Sequence, residues 1–88
     1  MIINIKDLKN KIIYRANYRG TKEMDELLSS FTKKYINQLK KEELTLLCNL
    51  LDYDDESLYK LNQDLPMSIK IETNKVVELF KSYKFNNK

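Results

Sequence analysis

One glycine and one proline punctuate 88 residues. Folds rich in strands turn the chain often, and tight turns draw on both residue types. With only Gly20 and Pro66 available, the chain is predicted to be all-α: a compact five-helix bundle in a single domain, residues 1–88, with its core at about 5–84. Hydrophobic residues make up 42% and charged residues 33%. That is enough apolar material for one packed core and too much for a disordered segment. A chain this short buries only about 60–65% of its unfolded surface, so its stability is expected to be modest. The net charge is +3, with 16 cations interspersed among 13 acids. Such a mild excess does not by itself point to nucleic acid.

Several kinds of chemistry are missing from the chain. There is no histidine, the commonest general base and metal ligand. The single cysteine, Cys48, allows no internal disulfide and no four-cysteine zinc site. It lies on an apolar stripe and is expected in the core. No apolar run approaches the roughly 18–20 residues that span a bilayer. The opening "MIINIKDLKNK" has too short an apolar stretch for a signal peptide. A cytoplasmic protein with no membrane insertion is the expectation. No nucleophile–base pair and no glycine-rich dinucleotide loop is present, so the chain is not expected to be an enzyme or to bind a cofactor of its own.

Apolar spacing places the helices. Ile5, Leu8, Ile12 and Ala16 share a face in a first helix over about Ile5 to Arg19, and Gly20 is expected to stop it in a left-handed conformation. Met24, Leu27, Leu28, Phe31 and Tyr35 form the clearest stripe, in a second helix over about Thr21 to Ile36. Leu44, Leu47, Cys48 and Leu51 define a third, about Lys41 to Leu51. Asp54 is an N-cap candidate for a short fourth helix, with Leu58, Tyr59 and Leu61 inward. Pro66 breaks the chain, and the fifth helix is expected over about Ile69 to Tyr83 with Val76, Val77, Phe80 and Tyr83 inward. The last residues, "KFNNK", are expected to fray. For Asp52, Asp54 and Asp55, loop capping is the expected role; a calcium loop needs more ligands and a glycine at its turn.

The stretch "YRANYRGTKEMDELL", residues 14–28, holds both arginines and the only glycine. On a helix, Arg15 and Arg19 would stack on one face at the margin of the apolar stripe and aim their forks outward. A guanidinium fork suits bidentate contact with carboxylates, phosphates or carbonyls, which an ammonium does not. Glu23 falls in the first turn of the second helix, across a minimal turn from Arg19. Tyr14 and Tyr18 form an i, i+4 pair on the face opposite Leu8 and Ile12. On spacing alone, the same residues also read as ordinary helix capping.

"YRANYRGTKEMDELLSSF", followed by "LTLLCNLLDYDDESLYKL", resembles the FAD assembly factors of succinate dehydrogenase. These are the bacterial SdhE-type proteins and the mitochondrial succinate dehydrogenase assembly factor 2. The family's Arg-Gly-x-x-Glu motif corresponds to Arg19, Gly20 and Glu23, and its Leu-Leu-x-x-Asp-Asp-x-x-Leu segment to Leu50, Leu51, Asp54, Asp55 and Leu58. The sequence departs from the family pattern at Thr21, Glu56 and Asn62. The resemblance implies a five-helix protein that binds the succinate dehydrogenase flavoprotein subunit and promotes covalent attachment of FAD to it. FAD is then bound by the client, and a client histidine attacks the flavin 8α-methyl carbon. The fumarate reductase flavoprotein is a further candidate client, and the free chain is expected to be a monomer. The implied partner-binding residues are Arg19, Gly20 and Glu23, with Arg15 beside them and Tyr14, Tyr18, Asp54 and Asp55 as weaker candidates. A small helical nucleic-acid-binding protein and an antitoxin-like interaction module are the alternatives.

Overall fold

Every helix start is marked by a residue in extended backbone, and at four of the five a side chain bonds across the open helix end. In the computed structural model, which describes residues 4–84, these residues are Asn4, Thr21, Lys40, Asp54 and Asn74. The helices that follow are α1 (Ile5–Asn17), α2 (Lys22–Tyr35), α3 (Lys41–Leu50), α4 (Asp55–Gln63) and α5 (Lys75–Ser82). Asn4 accepts the Lys6 N–H at 2.8 Å, Thr21 the Met24 N–H at 3.2 Å, and Asn74 the Val77 N–H at 2.9 Å. Each bond satisfies a donor that the first helical turn leaves open. At α3 the reach is reversed: Glu43 accepts the Lys40 N–H at 2.8 Å and also takes the Lys75 ammonium at 2.9 Å. One carboxylate thus closes the start of α3 and ties it to the start of α5. The Glu43 carboxyl is held below its ordinary value of 4.5, first by the Lys40 N–H and then by Lys75.

The expected stripes build the core. α1 packs on α2 and α3, and α5 packs on α3 and α4. Leu8, Ile12 and Ala16 of α1 meet Met24, Leu27, Leu28 and Phe31 of α2, with Leu44, Leu47, Leu58, Val76 and Phe80 closing the cluster. Phe31 sits at its centre, with the rings of Tyr35, Phe80 and Tyr83 at 5.1, 5.1 and 5.4 Å. Edge-on and tilted contacts of this kind add to simple area burial. Cys48 is buried in the same cluster, as its stripe position requires. The radius of gyration, 12.5 Å, is that of a closely packed chain of this length. None of the described helices is long and apolar enough to cross a membrane.

Four local expectations are corrected. α1 ends at Asn17, not Arg19, so Arg15 and Arg19 do not stack on one helix face. Gly20 does not have a positive φ; among the described residues only Asp64 does, at φ 59°, where it ends α4. The Leu65 N–H then bonds the Lys60 carbonyl at 2.9 Å, closing that helix end. Tyr59 points outward, and Asn62 takes its inward place in α4. The Asn62 amide donates to the Phe80 and Tyr83 carbonyls at 2.9 and 2.7 Å, so a buried polar group replaces an apolar one without being left unpaired. The fifth helix starts at Lys75, six residues after the expected Ile69. The segment before it alternates Ile69, Ile71 and Thr73 with Lys70 and Glu72, and β-branched residues at every second position favour extended chain. Ile71 packs against the core while Ile69 is exposed. The fraying expected of "KFNNK" concerns chiefly residues 85–88, which lie outside the described residues.

Candidate functional site

The α1–α2 junction is assembled around Arg19. Its side chain is only 10% exposed. The guanidinium donates through Nε to Asp55 Oδ1 at 2.7 Å and through Nη1 to the Arg15 and Leu51 carbonyls, both at 3.1 Å. Nη2 donates to the Tyr53 carbonyl at 2.8 Å. Three of those acceptors are carbonyls at helix ends or in the α3–α4 loop, which have no helical partner of their own. A planar fork with five N–H donors satisfies all of them at once, and a lysine ammonium could not. The fork is therefore turned inward. It joins the last turn of α1, the end of α3 and the start of α4.

The backbone at this junction is held by two aspartates. Asp25, in the first turn of α2, accepts the Arg19 N–H at 2.6 Å. Asp55, at the start of α4, accepts the Gly20 N–H through Oδ2 at 2.6 Å while Oδ1 takes the Arg19 side chain. Continuation of α1 would have sent both N–H groups back along the helix. The carboxylates capture them instead, which is the physical reason that α1 stops at Asn17.

Around this inward clamp lies an outward surface. Arg15 is partly exposed and pairs with Asp52 through Nη1 and Oδ1. Tyr14 and Tyr18 are 64% and 70% exposed, and their ring centroids are 4.6 Å apart at a 37° tilt. They stack on each other and leave their outer faces to solvent. Glu23 is exposed, and none of the described residues pairs with its carboxylate. Asp54 occupies the N-cap of α4, but its carboxylate makes no capping bond to the helix and is exposed.

The structure thus brings Arg15, Arg19, Gly20 and Asp55 into one bonded cluster, and it divides the motif by direction. Arg19 and Asp55 are bonded inward, and Glu23 faces outward. The Arg19 guanidinium pairs not with Glu23 across the turn but with Asp55, 36 positions further along. Asp25 is the member that sequence reasoning did not single out, and Asp52, expected only to cap its loop, instead pairs with Arg15. Asp25 carried a signal, being an acid in the first turn immediately after the Arg-Gly corner. Among the described residues no group of acids, with Cys48, is arranged to hold a metal ion.

Comparisons with known proteins place the chain in a family. A family model described as "Flavinator of succinate dehydrogenase" matches residues 10–84. The FAD assembly factor SdhE of Wigglesworthia glossinidia brevipalpis is 35% identical over 83 residues, covering 90% of this chain and 95% of that protein. The mitochondrial succinate dehydrogenase assembly factor 2 of Lodderomyces elongisporus is 37% identical over 73 residues, covering 78% of this chain and 44% of that protein. Its counterpart in Scheffersomyces stipitis is 43% identical over 49 residues, covering 56% and 33%. The chain therefore spans less than half the length of these two mitochondrial relatives. No solved structure matches it significantly. Five helices among the described residues in the expected order, the Arg19–Gly20–Glu23 corner and a match over residues 10–84 lead to one conclusion: the chain belongs to the flavinator of succinate dehydrogenase family, whose members are succinate dehydrogenase assembly factors.

Proposed function

We propose that this chain binds the flavoprotein subunit of succinate dehydrogenase and promotes the covalent attachment of FAD to it, with the fumarate reductase flavoprotein as a related client. The observation that carries this reading is the division of labour at the junction. Arg19 is tied inward by four side-chain hydrogen bonds, while Glu23, Tyr14 and Tyr18 stand exposed around the corner it holds. A stacked tyrosine pair beside a guanidinium and an unpaired carboxylate has the composition of a protein-binding edge. In this reading Glu23, Arg15, Tyr14, Tyr18 and Asp54 contact the client. Arg19, Gly20 and Asp55 keep the corner in shape.

The histidine that becomes attached to the flavin is the client's, because this chain has none. FAD, bound by the client, supplies the electrophilic carbon and the electron sink. The chain's own contribution is to hold the client in an arrangement competent for attachment, which raises the population of the reactive geometry. It acts as an assembly factor without a catalytic site and without a resident cofactor.

Titration calorimetry of the purified chain against the flavoprotein subunit tests the reading. Glu23→Ala and Tyr18→Ala are each expected to weaken binding about tenfold or more, roughly 1.4 kcal/mol per tenfold, with unchanged helicity. A wild-type chain that does not bind the subunit would overturn the proposal.

A further inference from the structure

Gly20 is not where it is for any of the usual reasons. Its φ is not positive, so a side chain would meet no left-handed penalty. It lies outside the helices and is exposed to solvent. Beyond its chain neighbours, a Cβ built at this position finds one atom within 4 Å: Asp55 Oδ2, at 2.9 Å. Real Cβ contacts are not that short, so the carboxylate would have to move. It is poorly placed to do so, because the same carboxylate accepts the Gly20 N–H at 2.6 Å and the Arg19 Nε at 2.7 Å. A shift that makes room for a methyl group loosens the Arg19 clamp as well.

We infer that Asp55 is the positioning residue of the junction, and that Arg19 and Gly20 serve the client chiefly through it. The Asp55 carboxylate bonds the Gly20 backbone on one oxygen and the Arg19 fork on the other. It fixes the direction in which the chain leaves the corner, and so the placement of Glu23 three residues on. Glycine is required because the aspartate must come this close. Glu23 is then the member of the Arg-Gly-x-x-Glu motif whose side chain meets the client. The inference rests on the proposed role in flavin attachment.

A double-mutant cycle tests it with four chains: wild type, Gly20→Ala, Asp55→Ser and the double variant. The shorter serine removes the obstructing oxygen. The readouts are the rate of covalent flavin formation on the client at saturating chain, where partial unfolding is compensated by excess, and thermal stability without client. Gly20→Ala alone and Asp55→Ser alone are each expected to lower the saturating rate about three- to tenfold. The double variant should be no worse than Asp55→Ser, and Gly20→Ala should lower the melting temperature in the wild-type background but not in the Asp55→Ser background. Asp55→Asn keeps the size of the side chain but loses the charge and exchanges one accepting oxygen for a donating NH2. In that background, Gly20→Ala should still lower the melting temperature.

If Gly20→Ala costs the same factor in rate with or without Asp55, the glycine serves the client directly and the inference is overturned. It is equally overturned if alanine at position 20 leaves both rate and melting temperature unchanged in the wild-type background. A wild-type chain that fails to raise flavin attachment counts instead against the proposed function, and the melting temperatures still read the Gly20–Asp55 coupling.

Discussion

At the residue scale, Arg19 shows how a side chain chosen for its fork can be wholly consumed inside its own protein. Its carboxylate and carbonyl partners are buried or half-buried, so removing the fork leaves several acceptors without donors. Arg19→Lys keeps the charge and can replace at most one or two of the four bonds. It is expected to cost about 2–3 kcal/mol of folding stability, the range for losing charged hydrogen bonds in a partly buried site. Urea unfolding followed by circular dichroism measures this directly. By contrast, the Glu23 carboxylate makes no hydrogen bond or ion pair among the described residues, and Glu23→Ala should leave the folding stability within about 0.5 kcal/mol of wild type. The sequence marked Arg15 and Arg19 as unusual in a lysine-rich chain and proposed outward forks for both. What it could not show is the acceptor. Asp55 is 36 positions away, and spacing rules reach only to neighbours within an element.

At the element scale, the helices follow their apolar stripes closely while their ends follow hydrogen-bond partners that periodicity does not contain. α2 and α3 lie within about a turn of the expected spans, because a strong stripe and a capping residue agree there. α1 loses its expected last two residues to Asp25 and Asp55. α5 loses its expected first turn and a half to an alternating segment, although Asn74 ahead of the Val76–Val77 pair was a readable start signal. The Glu43 junction between α3 and α5 carries a pH prediction. Its carboxyl is held below the ordinary 4.5, first by the Lys40 N–H and then by Lys75. The folded state therefore holds its proton less tightly than the unfolded state does. The resulting stabilisation is complete above the ordinary value and is lost as pH falls through the lowered one. Glu43→Gln preserves shape without charge. It should flatten part of the fall in melting temperature below about pH 4.5, and have its largest effect near neutral pH. Melting curves between pH 7 and pH 3 check the sign.

At the scale of the whole molecule, one small core supports everything. Phe31 is fully buried and carries three aromatic contacts, one from its own helix and two from α5 and its C-cap. Phe31→Ala should cost about 3–5 kcal/mol. Domains of this size are held by little more than that, so the variant should be largely unfolded at 37 °C by circular dichroism. The all-helical architecture was legible because a chain with one glycine and one proline has few ways to turn. The motif residues were legible through resemblance, and their directions were not, because direction depends on contacts between the α1–α2 junction and the α3–α4 loop. The central claim is that this clamped corner presents Glu23 to a succinate dehydrogenase flavoprotein and so promotes flavin attachment. Its most direct test is co-expression of the flavoprotein with wild-type or Glu23→Ala chain, followed by in-gel fluorescence of covalently bound flavin. The account predicts strong fluorescence with wild type and a large loss with Glu23→Ala at equal amounts of folded chain. Equal fluorescence from the two would contradict it.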